Sequence, residues 1–202
     1  MIINDSFPKF DLPIDFIADD SITGDILNYY SNFPCKIKAG VFVLCTEGMV
    51  KATINLLEVV IRKNDFVIVL PNSFIQIHEV SSDTRISFAG FSSDFMLSGN
   101  YVEILLDSMP MILNSPVISL QDDIAGLYRN VYLLLIRAYT LPHSLENKDI
   151  IRSILAIFLQ GTKELYKRYG RKLDEPLRRE QELYRQFIQL LMAHYTLSLI
   201  HI

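Results

Sequence analysis

The chain has 202 residues, half of them hydrophobic and 21% charged, with a formal net charge of −4. That apolar fraction excludes wholesale disorder, and two cysteines, Cys35 and Cys45, are too few for a disulfide scaffold and lack metal-ligand spacing. No stretch has the unbroken apolar length of a membrane span, and the start Met1-Ile2-Ile3-Asn4-Asp5 is not a secretory signal, so a reducing cytoplasm and no membrane contact are expected.

From Lys36 to Phe91 the pattern is that of short strands. Val41, Val43 and Cys45 alternate with Phe42, Leu44 and Thr46, and Glu47-Gly48 supplies a turn before the return strand Val50 to Ile54. Asn55-Leu56-Leu57 reads as the next turn and Glu58 to Arg62 as the next strand. Lys63-Asn64-Asp65 breaks the pattern before the fully apolar run Phe66 to Leu70. Phe74 to Val80 and Arg85 to Phe91 form a last pair around Ser81-Ser82-Asp83. Asp25 to Tyr30 is expected to add to the same sheet. Many short strands at regular spacing predict a barrel or sandwich.

After Ser93 the period becomes helical. Ser119 is positioned to cap a helix with the stripe Ile124, Leu127, Val131, Leu134, Leu135 and Ala138, ending before Pro142. A second helix is predicted from Leu145 to Tyr169, with Gly170 as a stop signal. Its face Ile151, Ile154, Leu155, Phe158, Thr162 and Leu165 follows helical spacing, while Ile150, Ile157 and Leu159 add apolar surface elsewhere. Such a helix needs cover from two directions: the β half on one side, and a second subunit or more of its own chain on the other. A charged linker, Arg171 to Pro176, opens a third amphipathic helix bearing Leu183, Phe187, Leu190 and Leu191.

Charge divides unevenly. Residues 1–142 hold 9 basic and 16 acidic residues, a net of −7, and residues 143–202 hold 10 and 7, a net of +3. The basic excess concentrates in Lys163, Lys167, Arg168, Arg171, Lys172, Arg178 and Arg179. Such a cluster either meets phosphate or is a solvated face.

This organisation resembles the AraC-type transcriptional regulators. Ile61-Arg62-Lys63-Asn64-Asp65-Phe66 running on to Pro71 is similar to a cupin strand–turn–strand, and Ser92-Ser93-Asp94-Phe95 to the segment leaving the barrel. Arg178-Arg179-Glu180-Gln181-Glu182-Leu183-Tyr184-Arg185-Gln186-Phe187, running on to His194-Tyr195, is similar to the opening helix of the family's DNA-binding domain. The resemblance implies an α+β chain: a cupin-like ligand-sensing barrel over 1–95, a helical dimerisation segment over 96–170, a linker over 171–176 and an orphan C-terminal helix over 177–196. That helix would be the first of a truncated helix-turn-helix domain. The final Leu197-Ser198-Leu199-Ile200-His201-Ile202 is a translation of CTG-TCT-CTT-ATA-CAC-ATC, which resembles a transposon-end sequencing adapter, so 197–202 reads as a non-native tail; a natural apolar terminus is the alternative.

Enzyme chemistry finds little support in the sequence. The cupin metal site resembles His-x-His with Glu and a later His, whereas the histidines here are His78, His143, His194 and His201. His78 and Glu79 are adjacent on a strand and would point to opposite faces, so no metal and no cofactor is expected. No Gly-x-Ser-x-Gly elbow or Gly-rich phosphate loop occurs. A stand-alone, metal-free cupin binding protein or isomerase, with one His as base and a Tyr as acid, is the alternative to a regulator. What remains is a binding pocket. Gln76 and His78 share a strand face with Phe74 and Val80, and Arg85 shares one with Ser87 and Ala89. Turned into the barrel, Gln76, His78 and Arg85 would hold a small polar effector; the alternative is that His78 and Arg85 sit at the rim or outside. Ile151, Ile154, Leu155, Phe158 and Leu165 would form the homodimer contact, and DNA would be met only through the missing C-terminal domain.

Overall fold

A computed structural model describes residues 9–10, 12, 14–31, 33–97, 102–140 and 148–169, with single helical positions at 179, 183 and 186. In chain order the elements are β1 (Lys9–Phe10), β2 (Phe16–Thr23), α1 (Gly24–Tyr29), β3 (Cys35–Ile37), β4 (Gly40–Glu47), β5 (Met49–Ile54), β6 (Leu57–Arg62), β7 (Asp65–Val69), β8 (Ser73–Val80) and β9 (Arg85–Phe91). There follow α2 (Ser93–Leu97), α3 (Val102–Asn114), β10 (Val117–Ser119), α4 (Asp122–Thr140) and α5 (Lys148–Tyr169).

The strands form two five-stranded sheets, in the orders β1-β3-β8-β5-β6 and β10-β7-β4-β9-β2. Neighbours run antiparallel except β1 beside β3. The sheets face each other as an open sandwich around an inner core of Val41, Cys45, Val67, Val69 and Ile86 from one sheet and Val50, Ala52, Ile54 and Ile61 from the other. The reverse face of the second sheet, with Phe42, Leu44, Phe66, Ile68, Ala89 and Phe91, is covered by the helices. Covering on both faces explains why β7 is buried throughout and, from Phe66 on, apolar without alternation. The first sheet has one solvated face and alternates, as in β5.

Two turns show how locally the hairpins are specified. Gly48, between β4 and β5, sits at φ +77, and an added Cβ would lie 2.5 Å from the Thr84 Cα, so only glycine fits. Asn55 and Leu56 both have positive φ, 47° and 70°, the signature of a type I′ turn joining β5 to β6.

Several sequence expectations are corrected. Asp25 to Tyr30 is not a strand: Gly24–Tyr29 is a short helix, with Asp25 in its first turn and Leu27 against the inner core, and the strand is the preceding Phe16–Thr23. The sequence reading also missed α3, because Pro110 lies inside it; that proline removes one helical hydrogen bond without ending a helix whose Leu105 and Ile112 are buried. Ser119 closes β10 rather than capping α4, and Asp122 accepts a hydrogen bond from Asn64 Nδ2 at 2.5 Å. The buried stripe of α4 is Ala125, Tyr128, Tyr132, Leu135 and Ala138, while Leu127 and Leu134 are exposed. Of the expected stripe, Leu135 and Ala138 are buried and Ile124 and Val131 pack at its edge; Leu127 and Leu134 are displaced by Tyr128 and Tyr132, whose rings fill the face. Of the third helix only Arg179, Leu183 and Gln186 are described, all exposed; Phe187, Leu190, Leu191 and the linker 171–176 lie outside the described residues.

Candidate functional site

The three residues expected to line a polar pocket are not brought together. On β8, Ile75 and Ile77 join the inner core, so Phe74 and Gln76 face outward. The β5–β8 pairing shifts register between Lys51 and Ala52: Lys51 is opposite Glu79 and Ala52 is opposite Ile77, leaving His78 as a bulged residue. Both His78 and Glu79 therefore point away from the core. His78 Nε2 lies 2.7 Å from Thr53 Oγ1 and Glu79 Oε2 lies 2.5 Å from Lys51 Nζ, both partners on the solvated face of β5. Val80, beyond the bulge, turns inward instead. A strict period of two had put Val80 with Gln76 and His78, and His78 opposite Glu79; the bulge reverses both assignments. Arg85 stands on the other sheet, exposed, with Nε 3.3 Å from Glu47 Oε2.

The inner core is lined mainly by hydrocarbon, with the Cys45 thiol and, at its margins, the buried polar side chains of Asp65 and Ser73. Burial pushes that thiol up to about 11, with nearby Asp65 adding to the effect, so it is protonated at neutral pH. Its Sγ lies 3.2 Å from the Glu47 carbonyl oxygen, a partner that a thiol, not a thiolate, can serve. One end of the sandwich carries a cleft of about 10 Å³ bordered by Ile54, Asn55, Ser73, Ile112 and Pro116, room for about one water. Asn55 is anchored there: its Nδ2 donates to Ser73 Oγ at 2.9 Å and its Oδ1 accepts from Phe74 N at 2.9 Å. Among the described residues no three His, Cys, Asp or Glu side chains gather as metal ligands, and no helix is long and apolar enough to cross a membrane.

The densest side-chain constellation joins the helices to the second sheet. Phe158 of α5 stacks on Phe42 of β4 with centroids 5.1 Å apart and meets Tyr132 of α4 edge-on at 5.1 Å. Phe66 of β7 contacts Tyr128 at 4.7 Å and lies parallel to Phe158 at 6.3 Å. Gly161 makes room for the Tyr128 ring, since a Cβ there would lie 2.3 Å from the tyrosine oxygen. The Tyr128 and Tyr132 hydroxyls are buried with no hydrogen-bond partner among the described residues, and burial raises both above the ordinary tyrosine range.

Ile151, Ile154, Leu155, Phe158 and Leu165 all belong to this joint. Each is buried in the chain's own core, and Thr162 between them donates to the Phe158 carbonyl at 2.6 Å. The helix presents Ile150 and Ile157 to solvent instead. Sequence reasoning found the α5 half of the joint by its spacing and missed Tyr128 and Tyr132, whose own i, i+4 spacing with Ala125 and Leu135 was the available signal.

No protein-family model and no curated protein matches the chain. Among solved structures it is similar to ToxT from Vibrio cholerae, with 12% identity over 84% of this chain and 62% of that one and a TM-score of 0.41. It is also similar to CuxR, an AraC-like transcriptional activator, with 13% identity over 76% of this chain and 51% of that one and a TM-score of 0.42. A likeness to the EutQ protein of Clostridium difficile covers 43% of this chain and 69% of that one, at 13% identity and a TM-score of 0.29. The chain thus spans less than two thirds of the length of ToxT and of CuxR.

Proposed function

We propose that this chain is the sensor part of an AraC-type transcription regulator, in which a small molecule acting on the sheet sandwich alters how following DNA-binding segments are held. One observation carries the reading: β4 and β7 serve two cores at once. Val41, Val43, Val67 and Val69 face the inner core, while Phe42 and Phe66, alternating with them, hold Phe158 of α5. A molecule that spreads the sheets displaces the strands on which α5 is seated. That displacement travels along a 22-residue helix towards the charged linker Arg171 to Pro176. Close-packed interfaces of this kind switch between discrete arrangements rather than bending smoothly. The effector's differential affinity for those arrangements sets the response.

The inner walls are mainly hydrocarbon, with the polar Asp65 and Ser73 at their margins, so the effector this sandwich would admit is a small, largely apolar molecule rather than the polar one that Gln76, His78 and Arg85 suggested. The regulator acts as a homodimer in the cytoplasm, and DNA is met through a domain beginning at the helix that includes Arg178 to Tyr195. The chain itself is not an enzyme in this reading. Reading the source DNA beyond the codon for Thr196 tests it. The expected result is a frame that continues into two helix-turn-helix units; a native stop directly after Ile202 would overturn it.

A further inference from the structure

Opposite its buried stripe, α4 carries a second ridge that faces outward. Asp123, Leu127, Asn130, Leu134 and Arg137 follow one another in alternating steps of four and three residues, the spacing that keeps side chains in one line along a helix. All five are exposed, and the two leucines are 58% and 46% open to solvent. Gly126 borders the ridge, and a Cβ built there would meet nothing within 4 Å, so the helix backbone is open to close approach. That glycine has neither a positive φ nor a crowding neighbour to require it, and inside a helix it weakens α4. Asp123 and Arg137 form no ion pair among the described residues.

We infer that this ridge is the contact between two copies of the chain, which pack α4 on α4 antiparallel about a two-fold axis at Asn130. The ridge is self-complementary about that residue. Leu127 of one copy meets Leu134 of the other, whose side chain enters the gap beside Gly126. Asp123 comes opposite Arg137, and the two Asn130 amides meet on the axis, where each offers both donors and an acceptor. Charge and amide together select this arrangement. Parallel packing would set Asp123 against Asp123 and Arg137 against Arg137, which like charges oppose. Sliding one helix by a turn sets Asn130 against a leucine, leaves its amide unpaired in an apolar contact and parts Asp123 from Arg137. The contact supplies the dimer that the regulator reading calls for, but it stands on the ridge alone: oligomeric state decides it, whereas the source DNA decides that reading.

Sedimentation equilibrium of the 202-residue chain tests it. The native chain is expected to dimerise, and Leu127→Glu or Leu134→Glu should raise the dimer Kd by about tenfold or more. Gly126→Gln should also raise the Kd while raising the thermal midpoint of the dilute monomer, because the new side chain favours the helix and blocks the approach. Asp123→Arg and Arg137→Asp should each weaken the dimer and together restore it. Each also gives up a favourable place at a helix end, so recovery in the double exchange cannot come from helix stability. A native chain that stays monomeric overturns the inference. So does a dimer that survives Leu127→Glu and Leu134→Glu but is lost with Ile157→Glu, which would place the contact on the outer face of α5.

Discussion

Cys45 illustrates how position in the fold sets the chemistry of a side chain. Its thiol, ordinarily at 9.0, is pushed to about 11 by burial in the inner core. The folded protein therefore keeps its proton to higher pH than the unfolded chain, so this contribution to stability is intact below about pH 9 and falls as pH rises towards 11. Buried Tyr128, Tyr132 and Tyr166 act in the same direction at still higher pH. Denaturant midpoints measured across that range should decline; a flat profile would contradict the burial argument. The tyrosine hydroxyls carry a second consequence. A buried hydroxyl with no partner loses its hydration without compensation, so Tyr132→Phe should be neutral or stabilising by about 1 kcal/mol in chemical denaturation. A loss of that size instead would show that the hydroxyl has a partner.

Among elements, the β5–β6 hairpin shows the cost of a turn whose residues only half suit it. Asn55 tolerates positive φ, whereas Leu56 at φ 70° bears the steric penalty of its Cβ and is 57% exposed, with little burial to offset it. Leu56→Gly creates the Asn-Gly pair that type I′ turns favour and should stabilise the chain by about 1 kcal/mol, read as a raised unfolding midpoint. The bulge at His78 is the complementary case: an irregularity of pairing turns His78 and Glu79 to the same side and sends Val80 inward. A period of two places Gln76 and His78 on one face with Phe74, as observed; which face turns inward, and the extra residue that parts Val80 from them, belong to the match between two strands.

For the molecule as a whole, the aromatic joint is what makes sheet and helices one body. Phe158 is fully buried and touches Phe42, Phe66, Tyr128 and Tyr132, so Phe158→Ala should cost about 3–5 kcal/mol. Ile157→Ala, one residue away and 53% exposed, should stay within about 0.5 kcal/mol. Urea unfolding of the two variants side by side checks this, and similar losses would mean that α5 is seated differently. The contrast also bears on assembly. Because the strongest apolar face of α5 is buried inside its own chain, a contact between copies needs other surface.

What the sequence alone determined is the local pattern: short strands from Val41 to Phe91 and helical spacing through α4 and α5, with Gly48 as punctuation. These follow from where side chains point along a single strand or helix, which needs no knowledge of neighbours. The apolar face of α5 was legible for the same reason. Tertiary structure decided everything that depends on a neighbour. It made α1 a helix through docking of Leu27, carried α3 through Pro110, and turned Gln76 and His78 outward. It also assigned Ile151, Ile154, Leu155, Phe158 and Leu165 to the chain's own core. A periodic pattern tells which residues share a face; only the packing of one element on another, through the volume each face must fill, tells what that face meets.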